Sequence, residues 1–151
     1  SNFVMIFNGE IYNHNEIRME LNSLHERKWT GHSDTETLLE AIEQWGLETT
    51  LNKTKGMFSI ALWDKRNRNL YLARDRMGEK PLYYGWVDNQ FVFASELKAI
   101  KKFPKFNSVK RLYLFEKSKL LKKVQKNQRP HILTLVDIQL HPERVHQNDD
   151  L

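Results

Sequence analysis

The sequence contains no cysteine. That excludes a disulfide, a thiolate metal site and a cysteine nucleophile anywhere in this chain. It also lacks any apolar run near the roughly 18 to 20 residues that span a bilayer, and no signal peptide opens it. Nothing argues for export, so a cytoplasmic location without a membrane partner is the expectation. Glycine and proline are sparse, at 6 and 4 residues, and no glycine-rich phosphate loop occurs. His131, His141 and His146 lack the spacing and the acidic company of metal ligands, and read as surface residues. No metal or cofactor is therefore expected in this segment.

What is present is enough for one domain. The chain has 151 residues, 40% of them hydrophobic, with four tryptophans, which suits a core-forming protein. Its net charge of +5 is unevenly placed, with +4 in residues 108–151 and +1 in residues 1–107. All glycines and tryptophans also precede residue 87. These shifts set a boundary at Asn107, between a globular part, 1–107, and a divergent basic tail, 108–151. The tail reads as partly helical or disordered. Lys110–Lys126 can be written as a basic amphipathic helix through Leu112, Phe115, Leu120 and Val124, and Ile132–Val136 as a strand. A basic helix could bind nucleic acid, but no nucleic-acid motif accompanies it, so no such partner is expected. At the other end Ser1 stands directly against a strand, as in a chain cut into rather than a natural beginning.

The chain is organised around Phe7-Asn8-Gly9-Glu10-Ile11-Tyr12-Asn13. Before it, Phe3–Phe7 reads as a buried strand, uncharged and rich in β-branched and aromatic residues. The Asn8 amide and the Gly9 N–H could converge as the two donors of an oxyanion hole, with Gly9 free to take positive φ. Glu10 beside them could hold a cationic group such as an ammonium. Asn-Gly is equally a common hairpin turn. Further on, Asn13 or Asn15 can cap a helix carrying Ile17, Leu21 and Leu24. Trp29–His32 reads as a short strand and turn. Ser33 and Glu36 have capping-box spacing before Leu38, Leu39, Ile42 and Trp45, with Gly46 as the stop. Asp34 in that first turn either favours the helix dipole or holds a substrate ammonium.

Residues 47–55 read as a short helix or turn ended by Gly56. Four strand runs follow, at 57–63, 70–73, 81–86 and 91–94, as an antiparallel meander, and Ser95 can cap a last helix. Arg74, Asp75 and Arg76 read as an ion-pair cluster that orders its loop. The fold class is α+β.

Five runs carry a resemblance. They are FNGEIYN at 7–13, GHSDTE at 31–36, GMFSIALWD at 56–64, ARDRMGEKPLYY at 73–84 and FASELKA at 93–99. In this order they closely resemble the glutamine-hydrolysing domain of glutamine-dependent asparagine synthetases, class II glutamine amidotransferases, over about residues 3–106. The resemblance implies an N-terminal-nucleophile hydrolase fold, a four-layer αββα sandwich, here incomplete. It implies hydrolysis of L-glutamine's amide, with the ammonia passed to a synthetase domain that uses ATP and Mg2+ to amidate aspartate. By motif, Asn8 and Gly9 look like the oxyanion-hole pair, and Asn8, Gly9, Glu10 and Asp34 like the glutamine-binding set, with Glu10 and Asp34 on the α-amino group. The family is often dimeric.

Two departures qualify this. The family's nucleophile is an N-terminal cysteine in a strand upstream of Asn-Gly-Glu, and neither it nor the family's arginine-bearing glutamine-binding loop is present. Ser1 is a poor substitute, because the seven residues to Asn8 span about 23 Å of extended strand. The synthetase domain is also missing, and past Asn107 the resemblance stops. The expectation is a fragment inactive on its own, against a degenerate, non-catalytic binding module.

Overall fold

The computed structural model describes residues 1–87, 90–104, 106, 109–114 and 136–139, and of the last two runs only the side chain of Leu112. Helix α1 (His14–Leu24) places Ile17 and Leu21 one turn apart on an otherwise polar segment, so one apolar stripe turns inward and both are buried. Leu24, expected on the same stripe, is the last residue of the helix and is exposed. Helix α2 (Asp34–Trp45) buries Thr37, Leu38, Ala41 and Ile42, and ends at Gly46 as expected. Helix α3 (Leu47–Lys53) buries Thr50 and Leu51.

These helices cover one face of an antiparallel sheet. Strands β1 (Phe3–Ile11), β2 (Gly56–Asp64) and β3 (Asn69–Arg74) lie side by side, and β7 (Val136–Gln139) pairs with β3, giving the order β1-β2-β3-β7. A second sheet, in the order β5-β4-β6, holds β4 (Tyr83–Val87), β5 (Gln90–Ala94) and β6 (Val109–Leu114). Helix α4 (Leu97–Lys101) follows β5.

The buried residues form three clusters that correspond to three interfaces between layers. Ile17, Leu21, Leu38 and Ile42 meet Ile11, Phe58, Ile60 and Leu62 between helices and first sheet. Ala61, Leu70 and Leu72 meet Leu82, Tyr84, Phe91 and Phe93 between the sheets. Val87, Val92 and Leu112 meet Ile100 and Phe103 beneath α4. The stack is therefore αββα, as the resemblance implied.

Several local expectations are corrected. The four-run meander is two hairpins in different sheets, because the chain crosses between them over residues 75–82. The run Phe3–Phe7 is not buried on both faces. Phe3, Met5 and Phe7 pack under the helices, while Val4 and Ile6 are 50% and 60% exposed, since β1 is the edge of the described sheet. Asn13 precedes α1 without capping it. Its side chain instead donates to Lys53 O (2.9 Å) and accepts from Lys55 N (2.8 Å), pinning the α3–β2 junction. Ser95 does not cap α4, whose N-cap is Glu96 with no side-chain bond. No strand forms at Trp29–His32.

The helical reading of 110–126 is corrected at its start, where Val109–Leu114 is a strand paired with β4. Leu112 alternates inward on the second sheet, a period-two placement that a sparse apolar pattern among lysines did not decide. The rest of 110–126, Ile132–Leu135 and the three late histidines lie outside the described residues. No described helix is long and apolar enough to cross a membrane.

Candidate functional site

Asn8, Gly9 and Glu10 lie inside β1 rather than in a turn, opposite Ser59, Phe58 and Met57 of β2. Gly9 has φ +156°, and a Cβ there would meet the Met57 carbonyl and come within 2.6 Å of Phe58 Cα. Gly56, opposite Ile11, is crowded in the same way by Glu10 O. Two backbones pressed this closely admit only glycine at both positions, so the motif's glycine is required by strand packing before any ligand is considered.

Cross-strand partners share a sheet face. Val4 and Ile6 oppose Trp63 and Ala61, which belong to the cluster between the sheets, so Asn8 and Glu10 project on that same side. A polar row, Asn8–Ser59–Arg74, thus crosses three strands beside the apolar row Ile6–Ala61–Leu72. Among the described residues, neither the Asn8 amide nor the exposed Glu10 carboxylate has a hydrogen-bond partner, so both keep their capacity for a ligand.

Asp34 reaches the same end of β1 from the start of α2. Its Oδ2 accepts the Ile11 N–H at 3.0 Å, beside Glu10, and its Oδ1 lies 3.4 Å from Thr35 Oγ1. The α2 terminus is held by Ser33, whose hydroxyl accepts the Glu36 N–H at 3.2 Å, one half of the expected capping box. The reciprocal half is absent. Glu36 turns its carboxylate to Thr30 N (2.7 Å) and Gly31 N (3.0 Å) and pairs with Arg18 (3.0 Å). The Thr30 amide, with Gly31 and Arg18, holds the Glu36 carboxyl below its ordinary value of 4.5 against an opposing effect of burial.

The crossing after β3 is ordered as expected, but through the backbone. Asp75, 6% exposed, accepts N–H groups from Phe58 (3.2 Å), Glu79 (2.9 Å) and Lys80 (3.1 Å). Arg74 donates to the carbonyls of Lys80 and Gly78, and Arg76 to Asn52 O (3.2 Å). The structure therefore brings Asn8, Gly9, Glu10 and Asp34 to one end of β1. Ser1 lies at the opposite end, where its hydroxyl donates to Glu43 at 2.8 Å. Sequence reasoning missed Ser59, which only strand register places beside Asn8, and Arg18, whose partners lie 13 to 19 residues away.

The sequence profile described as "Glutamine amidotransferase domain" matches residues 1–141. The chain belongs to this family. Asparagine synthetase [glutamine-hydrolyzing] 2 of Bacillus subtilis is 40% identical over 101 residues, 67% of this chain and 13% of the relative. Asparagine synthetase [glutamine-hydrolyzing] 1 of the same organism is 44% identical over 98 residues, 64% of this chain and 15% of the relative. The likeness to asparagine synthetases read from the five motifs is thereby borne out. The chain spans only about a seventh of the length of these relatives.

A solved glutamine phosphoribosylpyrophosphate amidotransferase from B. subtilis superposes with a TM-score of 0.61 at 21% identity, covering 74% of this chain and 26% of that one. At that identity the likeness speaks for the fold alone, an N-terminal-nucleophile hydrolase-like αββα sandwich. The family profile also extends past Asn107, across β6 and β7 of this amidotransferase domain.

Proposed function

We propose that this amidotransferase domain is the glutamine-binding part of a glutaminase unit. Glu10 and Asp34 receive the α-ammonium of L-glutamine, and the Asn8 amide with the Gly9 N–H forms the oxyanion hole for its side-chain carbonyl. The observation that carries this reading is the convergence, at one end of β1, of two carboxylates and an amide that has no partner among the described residues. An ammonium needs acceptors with uncommitted lone pairs, which Glu10 has in full and Asp34 in part. An oxyanion needs donors fixed before the reaction, and a strand held by neighbouring backbone is rigid enough to fix them.

Hydrolysis would need a nucleophile about 3 Å from the amide carbon that the hole serves. The sequence contains no cysteine, and Ser1 is engaged with Glu43 at the far end of the strand. In this reading the chain is a fragment of a longer synthetase and releases no ammonia alone. In the intact enzyme, ammonia from glutamine would amidate aspartate in a further domain served by ATP and Mg2+, to which no residue here is assigned. A cytoplasmic setting fits that chemistry.

The alternative reading is a non-catalytic amidotransferase-like binding module. Both readings expect no ammonia from the purified chain with L-glutamine. Calorimetry separates them, because a retained pocket binds L-glutamine with a loss on Glu10→Gln, whereas a module that has abandoned glutamine gives no heat. Ammonia release unaffected by Ser1→Ala would overturn the claim of inactivity.

A further inference from the structure

We propose that Arg18 is the positioning residue of this site: its guanidinium fixes the connection before α2, so that Asp34 stands against the end of β1 ready for an ammonium. The inference rests on the reading of Asp34 as an ammonium-binding residue.

Residues 26–29 and 31–33 form no helix or strand, so side chains must order that stretch. Arg18, on α1 and 11% exposed, spends its donors there. Nε donates to Thr37 Oγ1 (2.7 Å), one terminal nitrogen to Gly31 O (2.8 Å), and the other to Ser33 O (3.1 Å) and Glu36 Oε2 (3.0 Å). The guanidinium carbon also lies 4.1 Å from the centre of the Trp29 ring. Ser33 immediately precedes Asp34, and Thr37, fully buried, lies nearly one turn beyond it. Arg18 therefore grips α2 on both sides of Asp34, from a helix that carries no candidate ligand-binding residue.

Such a planar fork satisfies several acceptors at fixed angles, which a lysine ammonium cannot do. Misplacing a binding group by about 1 Å is enough to cost a large part of its effect. Two consequences separate positioning from a simple staple between helices. The Asp34 Oδ2 bond to the Ile11 N–H should weaken first, and the interiors of α1 and α2 should be spared.

The test uses the whole chain carrying Arg18→Lys, with amide hydrogen exchange read residue by residue and L-glutamine titrated by calorimetry. Exchange at the Ile11 amide should quicken about fivefold, while Leu21 and Ile42 keep their rates. Glutamine affinity should fall about tenfold. Thr37→Val, which removes the acceptor for Nε and the Thr37 hydroxyl's own bond to Ser33 O (3.1 Å) while leaving the other Arg18 bonds in place, should reproduce the local pattern more weakly. It serves as the second variant if Arg18→Lys does not fold. Unchanged exchange at Ile11, or equal acceleration at Ile11, Leu21 and Ile42, would overturn the proposal. If the unaltered chain binds no glutamine, the ammonium reading fails on its own, and the exchange pattern still decides whether Arg18 places Asp34.

Discussion

Asp75 and the pair Glu10–Asp34 are carboxylates near strand ends in the same sheet, and they are used in opposite ways. Asp75 is buried, and its two oxygens accept three main-chain N–H groups that fix the crossing from the first sheet to the second. Its bonding capacity is committed to the fold. Asp34 accepts one main-chain N–H, and Glu10 accepts nothing among the described residues. Carboxylates that a fold holds in place without saturating are the ones available to a ligand. What marks the proposed binding site is hydrogen-bonding capacity left unused among the described residues, rather than charge as such.

The contrast can be broken at either end. The largest effect is expected at Gly9, where the site shares the commitment of the fold. Gly9→Ala drives a Cβ into the β2 backbone and should destabilise by about 4 kcal/mol in denaturant unfolding. Asp75→Ala strands three amide donors and should cost about 3 kcal/mol in the same measurement. Asp34→Asn should cost only about 1 kcal/mol of stability, for the weakened bond to Ile11, yet reduce glutamine affinity by about tenfold or more. Glu10→Gln should leave stability within about 0.5 kcal/mol while lowering affinity similarly. Equal losses of stability at Asp75 and Glu10 would erase the distinction.

Acid provides a gentler probe of the connection that carries Asp34. Because folding lowers the Glu36 value, its contribution is complete above the ordinary 4.5 and is lost as pH falls below 4.5 through the folded value. The emission of Trp29, stacked on Arg18, should change over that acid range, and Glu36→Gln should remove the change.

Much of this was legible beforehand because period carries structure. Ile17 with Leu21, and Leu38 with Ile42, announced amphipathic helices, and the apolar run at 57–63 announced a central strand. Glu10 and Asp34 were visible as candidates from residue type beside a glycine or a helix start. What was not legible depended on contacts distant in sequence. Asn13 could cap its own helix, but bonds residues 40 and 42 positions away. Glu36 had the spacing of a capping box, but its carboxylate is taken by Thr30, Gly31 and Arg18. Hairpins joined by polar turns look alike whether they continue one sheet or begin another, so the split into two sheets was hidden. The exposure of Val4 and Ile6 follows from an edge position in the described sheet that composition does not encode.

The most direct test compares L-glutamine with 4-carbamoylbutanoate, the same molecule without its α-amino group, by calorimetry on the unaltered chain and on the Glu10→Gln/Asp34→Asn double variant. If the two carboxylates receive the ammonium, the unaltered chain should prefer L-glutamine by at least about tenfold, and the preference should vanish in the double variant. Equal binding of both compounds to the unaltered chain, or a preference that survives the double substitution, would contradict the account.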